Sequence, residues 1–84
     1  MLRPVATLRL FAQARHLAGV SHDVIDATTV AGLLTEATRR YGPDFVELLA
    51  TCRIWVDGES AGPDTVIGPA NEVAILPPVS GGSR

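Results

Sequence analysis

Apolar and polar residues alternate from Ala6 to Ala12, with Ala6, Leu8, Leu10 and Ala12 on one side and Thr7, Arg9 and Phe11 on the other. That period of two predicts a strand with one buried face. A loop around His16–Ser21, containing Gly19, leads to His22-Asp-Val-Ile-Asp26, a shorter strand whose polar content suits a sheet edge. The period then changes. Val30, Leu33, Leu34, Ala37 and Tyr41 form one apolar stripe of a helix, with Thr28 and Thr29 as capping hydroxyls and Arg39-Arg40 in the last turn. Gly42-Pro43 stops it, and a short helical turn over Asp44–Ala50 carries Phe45, Leu48 and Leu49 inward. Arg53–Asp57 reads as a third strand, closed by the hairpin signal Asp57-Gly58. The stretch Glu59–Asn71 is rich in turns, with Val66-Ile67 as a candidate short strand. Glu72-Val-Ala-Ile-Leu76 is continuously apolar after its first residue, which predicts a central strand, buried on both faces and paired in parallel. Pro77-Pro78 ends it, since neither residue can donate to a ladder.

The resulting order, β-β-α-(α)-β-(β)-β with the last strand central, predicts an α+β chain of the β-grasp (ubiquitin-like) type. Its mixed sheet pairs the first and last strands in parallel, and one main helix crosses it. A domain over residues 1–79 is expected, followed by a flexible tail over residues 80–84. Composition narrows the function classes. With 84 residues and 46% hydrophobic side chains, the chain can build one core, and an enzyme with its own deep active site is not expected. A net charge of -2 gives no basic grip for nucleic acid. All seven cations are arginine, with no lysine. No apolar run approaches the ~20 residues of a membrane span, and Met1-Leu2-Arg3-Pro4 lacks the apolar stretch of a signal peptide, so a cytoplasmic protein is expected.

Candidate chemistry inside the domain is sparse. The single Cys52 excludes an internal disulfide and a cysteine-rich zinc site, and reads as a small apolar residue at a helix-to-strand junction. His16 and His22 have no companions to complete a metal site. Arg15 reads as a partner-contact or ion-pair group, and Trp55 as packing in or beside the core. Neither a Ser-His-Asp triad nor a phosphate-binding glycine loop is present. What stands out is the tail, Val79-Ser80-Gly81-Gly82-Ser83-Arg84. A stiff diproline followed by residues without bulky side chains is suitable geometry for threading a chain end into a narrow channel.

Two segments at opposite ends of the chain carry a family resemblance. Leu8-Arg-Leu-Phe-Ala-Gln-Ala-Arg-His-Leu-Ala-Gly19 resembles the first strand and loop of the MoaD/ThiS sulfur carriers, which include the small subunit of molybdopterin synthase. Glu72-Val-Ala-Ile-Leu-Pro-Pro-Val-Ser-Gly-Gly82 resembles their last strand and tail. The resemblance implies a carrier rather than an enzyme, with no bound cofactor. Its terminal glycine carboxylate is adenylated with ATP by an E1-like partner of the MoeB/ThiF type and converted to a thiocarboxylate. It places that group on Gly82 with Gly81 as a slender neighbour, and makes Leu76, Pro77, Pro78 and Val79 the segment entering a partner. Phe11, on the solvent side of the first strand, and Arg15 are the further contact candidates. Pro-Pro-Val-Ser-Gly-Gly leans towards molybdopterin synthesis with a MoaE-like large subunit. Thiazole, cysteine, thiolated tRNA and natural products are other destinations, and a ubiquitin-like modifier joined through Gly82, or an inert interaction module, are the other classes. One departure from the family pattern stands out. Ser83-Arg84 leaves Gly82 in a peptide bond, so the resemblance requires a peptidase to remove the dipeptide. Otherwise it marks a diverged carrier, or is extraneous to the functional chain.

Overall fold

A computed structural model describes residues 5–78. The first strand, β1 (Val5–Leu10), buries Ala6, Leu8 and Leu10 and turns Thr7 and Arg9 outward, as its alternation requires. It pairs antiparallel with β2 (His22–Asp26) and parallel with β5 (Glu72–Leu76), whose bounds are those the apolar run and the diproline predict. The strand β3 (Arg53–Val56) runs antiparallel to β5, and the two-residue β4 (Glu59–Ser60) closes the order β2-β1-β5-β3-β4. Asp57 and Gly58 both have positive φ, 51° and 85°, which is the backbone of a tight hairpin turn whose twist matches the strands it joins. Val66 makes only an isolated bridge, to Thr29.

One face of this sheet is covered by α2 (Val30–Tyr41). The Thr29 hydroxyl accepts from the Gly32 amide at 3.1 Å, and Val30, Leu33 and Ala37 are buried against Leu8, Leu10, Ile25, Val73 and Ile75. Gly42, at φ 99°, ends α2 in a conformation that disfavours any residue with a Cβ, and Pro43 opens α3 (Pro43–Leu49). Phe45 of α3 is fully buried, and its ring meets Tyr41 edge-on at 5.1 Å. The architecture is the β-grasp, with one main helix and two short ones.

Three expectations need correction. The first strand ends at Leu10 rather than Ala12, and a short helix α1 (Ala12–Ala18) takes in the first half of the expected loop. Its residues are good helix formers, Ala14 buries completely, and Gly19 at φ 80° returns its amide to the Arg15 carbonyl at 2.9 Å, which stops the helix. The last strand is not buried on both faces: Val73 and Ile75 are buried, whereas Ala74 and Leu76 are only half-buried. Helices cover one face of the sheet, and the other stays open. Trp55 lies on that open face opposite Ala74 and is 36% exposed, rather than packed in the core, because Ile54 takes the inward position opposite Ile75.

Carboxylates tie the elements together. Asp23 accepts from Tyr41 Oη at 2.5 Å, from Arg40 Nη1 at 3.0 Å and from the Val24 amide at 2.8 Å. Burial pushes its carboxyl up, but these bonds outweigh burial and hold it below its ordinary range. Asp57 accepts from the Glu72 amide and from Asn71, which lowers its carboxyl too and pins the hairpin turn to the start of β5. Hydrogen bonds from Arg39 and Arg40 hold Glu36 down at about 2. A depressed carboxyl contributes stability that is fully present above its unfolded value, about 4. The contribution is lost as pH falls through the folded value. Melting temperature is therefore expected to hold from pH 7 to pH 5 and to drop by roughly 5 °C or more by pH 2.5. Asp23→Asn should shrink the difference, and a melting temperature flat down to pH 2.5 would contradict this account.

Candidate functional site at the root of the tail

Because β1 and β5 run in parallel, with Leu10 opposite Ile75, their C-terminal ends leave the sheet side by side. Phe11 follows one and Leu76 ends the other, so the residue that starts α1 and the segment that starts the tail share one end of the sheet. The contact between α1 and β5 has the same origin. Phe11 is 45% exposed, but it does not stand on the solvent side of the strand as expected. It is the extended N-cap of α1, at φ -127° and ψ 153°, and its carbonyl accepts from the amides of Ala14 and Arg15 at 3.0 and 3.3 Å. That backbone bracket fixes where the ring emerges. Arg15 lies one turn further along α1 and is exposed. Leu76 and Pro77 are half-buried and Pro78 is exposed. Val79, Gly81 and Gly82, and the Ser83-Arg84 extension, lie outside the described residues.

The fold adds Arg53, which the one-dimensional pattern did not single out, and moves Trp55 to an accessible face. Arg53 sits opposite Leu76, and Trp55 opposite Ala74, on the open face beside the tail root. A tryptophan and an arginine on one accessible face are residue types enriched at the anchors of protein interfaces. The signal was available only as a register: Arg53 and Leu76 meet because β3 is antiparallel to β5. On the same face Arg9 Nε donates to Glu72 Oε2 at 2.9 Å, an exposed cross-strand pair.

Reactive chemistry is not assembled here. Among the described residues there is no cluster of three or more His, Cys, Asp or Glu able to hold a metal ion, and no enclosed ligand cavity. Cys52 is half-buried where α3 leads into β3, donates to the Leu48 carbonyl at 3.2 Å, and has its thiol pushed up by burial, which makes it a poor nucleophile. No helix among the described residues is long and apolar enough to cross a membrane. The arrangement offers a folded body, an exposed end that carries apolar residues and arginines, and a chain leaving from it.

Comparison with known proteins agrees with this geometry. The solution structure of the small archaeal modifier protein 1 from Methanosarcina acetivorans is 24% identical, with a TM-score of 0.84 and coverage of 98% of this chain and 100% of that one. A putative molybdopterin converting factor, subunit 1, from Pyrococcus furiosus is 26% identical, with a TM-score of 0.81 over 90% of this chain and 99% of that one. A complex of subunits 1 and 2 of the molybdopterin-converting factor from Helicobacter pylori matches at 20% identity and a TM-score of 0.67, over 93% of this chain and 99% of that one. No curated protein sequence matches. The family model of the ThiS family matches residues 8–82, from the second half of β1 to the second glycine of the tail. The chain belongs to the ThiS family, the β-grasp proteins of ubiquitin-like sulfur carriers and modifiers.

Proposed function

We propose that this chain is a sulfur carrier that works through Gly82 after removal of Ser83-Arg84. The observation that carries the reading is where the family match ends: it runs to residue 82 and leaves the dipeptide outside it. The fold supports it, because the segment leading to Gly81-Gly82 departs from a central strand whose root presents Phe11, Arg15, Leu76, Pro77 and Pro78. Removal of the dipeptide by a peptidase frees the Gly82 carboxylate. A carboxylate is a poor electrophile, so an E1-like enzyme of the MoeB/ThiF type joins it to the α-phosphorus of ATP, releasing pyrophosphate. A sulfide equivalent then displaces AMP, and the acyl C–O bond to phosphate is exchanged for C–S. The resulting thiocarboxylate is a soft nucleophile on a slim arm. The carrier contributes the binding surface and the reach, and its partners supply the acid–base chemistry.

Molybdopterin synthesis is the destination we favour, with a MoaE-like large subunit as acceptor. It is supported by the Pro-Pro-Val-Ser-Gly-Gly run and by the likeness to a converting-factor subunit 1. A protein modifier is the second reading, favoured by the likeness to a small archaeal modifier protein. The two separate in one experiment. A chain ending at Gly82, incubated with an E1-like enzyme, ATP and a sulfide source, is expected to exchange one oxygen for sulfur in its intact mass, whereas the full chain stays unchanged until Ser-Arg is removed. Stable high-mass adducts in place of that exchange would favour the modifier. No reaction at Gly82, or sulfur on the uncut chain, would refute the carrier.

A further inference from the structure

The sheet ends on one side at β2, and an edge strand offers unpaired N–H and C=O groups to any strand that can reach it. The phase of the β1–β2 ladder shows which groups those are. Leu10 N donates to Ser21 O at 2.9 Å, which makes that pair a hydrogen-bonded one; pairs alternate along an antiparallel ladder, so Val24, opposite Thr7, falls on a non-hydrogen-bonded pair. Its amide and carbonyl therefore point away from β1, at the centre of the edge. Both are nonetheless occupied. The amide donates to Asp23 Oδ1 at 2.8 Å, and the carbonyl accepts from Arg40 Nη1 at 3.1 Å. The two side chains are also locked to each other, Arg40 Nη1 donating to Asp23 Oδ2 at 3.0 Å. Three residues of α2 hold this arrangement: Arg40 itself, Tyr41, whose hydroxyl donates to Asp23, and Glu36, which accepts from Arg40 Nε at 2.9 Å. Asp23 stands on the same side of the strand as the buried Ile25, so it is an inward-pointing charge on an edge strand, a recognised device against edge-to-edge pairing.

We propose that Asp23 and Arg40 guard the β2 edge, and that the edge they close is complementary to β2 of a second copy of this chain, antiparallel about Val24. Self-complementarity is what selects a second copy. Val24 presents one donor and one acceptor outward, so Val24 set opposite Val24 of a second copy exchanges both bonds about a two-fold axis. The side chain is 50% exposed, so the same pairing sets two valines side by side. With the guard in place neither backbone group is available, and the chain stays a monomer. The inference holds whether or not the tail carries sulfur.

Sedimentation of the full chain tests it. The wild type is expected to sediment as a monomer, and Asp23→Ala/Arg40→Ala as a dimer whose dissociation constant is at least about tenfold lower. Adding Val24→Pro, which removes the outward N–H, should return that variant to a monomer. Should the double variant not fold, Arg40→Met keeps the Asp23–Tyr41 bond and frees the Val24 carbonyl, and is expected to dimerise more strongly than the wild type. Hydrogen exchange gives a readout in the native protein, where the Val24 amide should be protected although it lies on an edge. A folded guard variant that stays monomeric, a dimer that survives Val24→Pro, or rapid exchange at Val24 in the wild type would each overturn the proposal.

Discussion

Phe45→Ala is expected to remove about 3–5 kcal/mol of stability. A chain of this length has roughly 4–13 kcal/mol, at 0.05–0.15 per residue, so the variant should melt well over 10 °C below the wild type. The magnitude follows from where the ring sits. Phe45 is the buried anchor of α3, a helix of seven residues that is held on one side by the Gly42-Pro43 junction. Its ring also supports Tyr41 edge-on, and Tyr41 in turn holds Asp23 on β2. Removing the ring leaves a cavity between helices and loosens the polar tie to the sheet edge. Phe45→Leu fills most of that volume and should cost no more than about 1.5 kcal/mol. Thermal denaturation followed by circular dichroism separates the two, and an alanine variant melting within a few degrees of the wild type would show that α3 contributes little to the core.

Phe11→Glu is expected to do the reverse, leaving the melting temperature in place while weakening capture by the activating partner roughly thirtyfold, the equivalent of about 2 kcal/mol at an interface anchor. Phe11 is almost half exposed and its backbone, rather than its ring, brackets the start of α1, so the fold does not depend on the side chain. Val66→Glu is the control: that side chain is 76% exposed, in the segment between β4 and β5, and its replacement should change neither folding nor binding. Trp55→Ala, on the open face of the sheet, is expected to lie between the two. Calorimetric titration of the partner into each variant measures this directly. Equal affinity for wild type and Phe11→Glu would place the docking surface elsewhere than the root of the tail.

How far the sequence alone carries depends on whether a feature is local. The bounds of β5 were legible because a diproline cannot continue a ladder, and α2 was legible from an apolar stripe bracketed by Thr29 and Gly42. Helix α1 was not, because Ala12 and Ala14 extend the alternation of β1 while also being good helix formers. The choice between the two was made at Ala12, where the chain turns at φ 51°, and by Ala14 finding a place in the core. Trp55, in mid-strand, reads from the sequence as packing in or beside the core. The side of the sheet on which it falls is decided by the register of β3 on β5, which hydrophobicity does not encode. The glycines of the tail are what led to the chemistry proposed above, whereas the surroundings of its root could not be read from the sequence. Phe11 and Leu76 are 65 positions apart, and only the parallel pairing of β1 with β5 brings them to one end of the sheet. The edge guard is further from reach, since Asp23 and Arg40 meet through the packing of α2 on β2.

That same parallel pairing has a mechanical consequence. A partner that draws in the tail pulls on β5 along its own axis, while the body of the domain resists through β1. The two strands point the same way, so such a force acts along the strands and loads their hydrogen bonds in shear, all together, rather than peeling them open one at a time. A handle built this way tolerates traction on its C-terminal end far better than one in which that strand could be unzipped. Tension applied at the diproline is therefore transmitted to the whole domain, which moves as a single body behind its own tail.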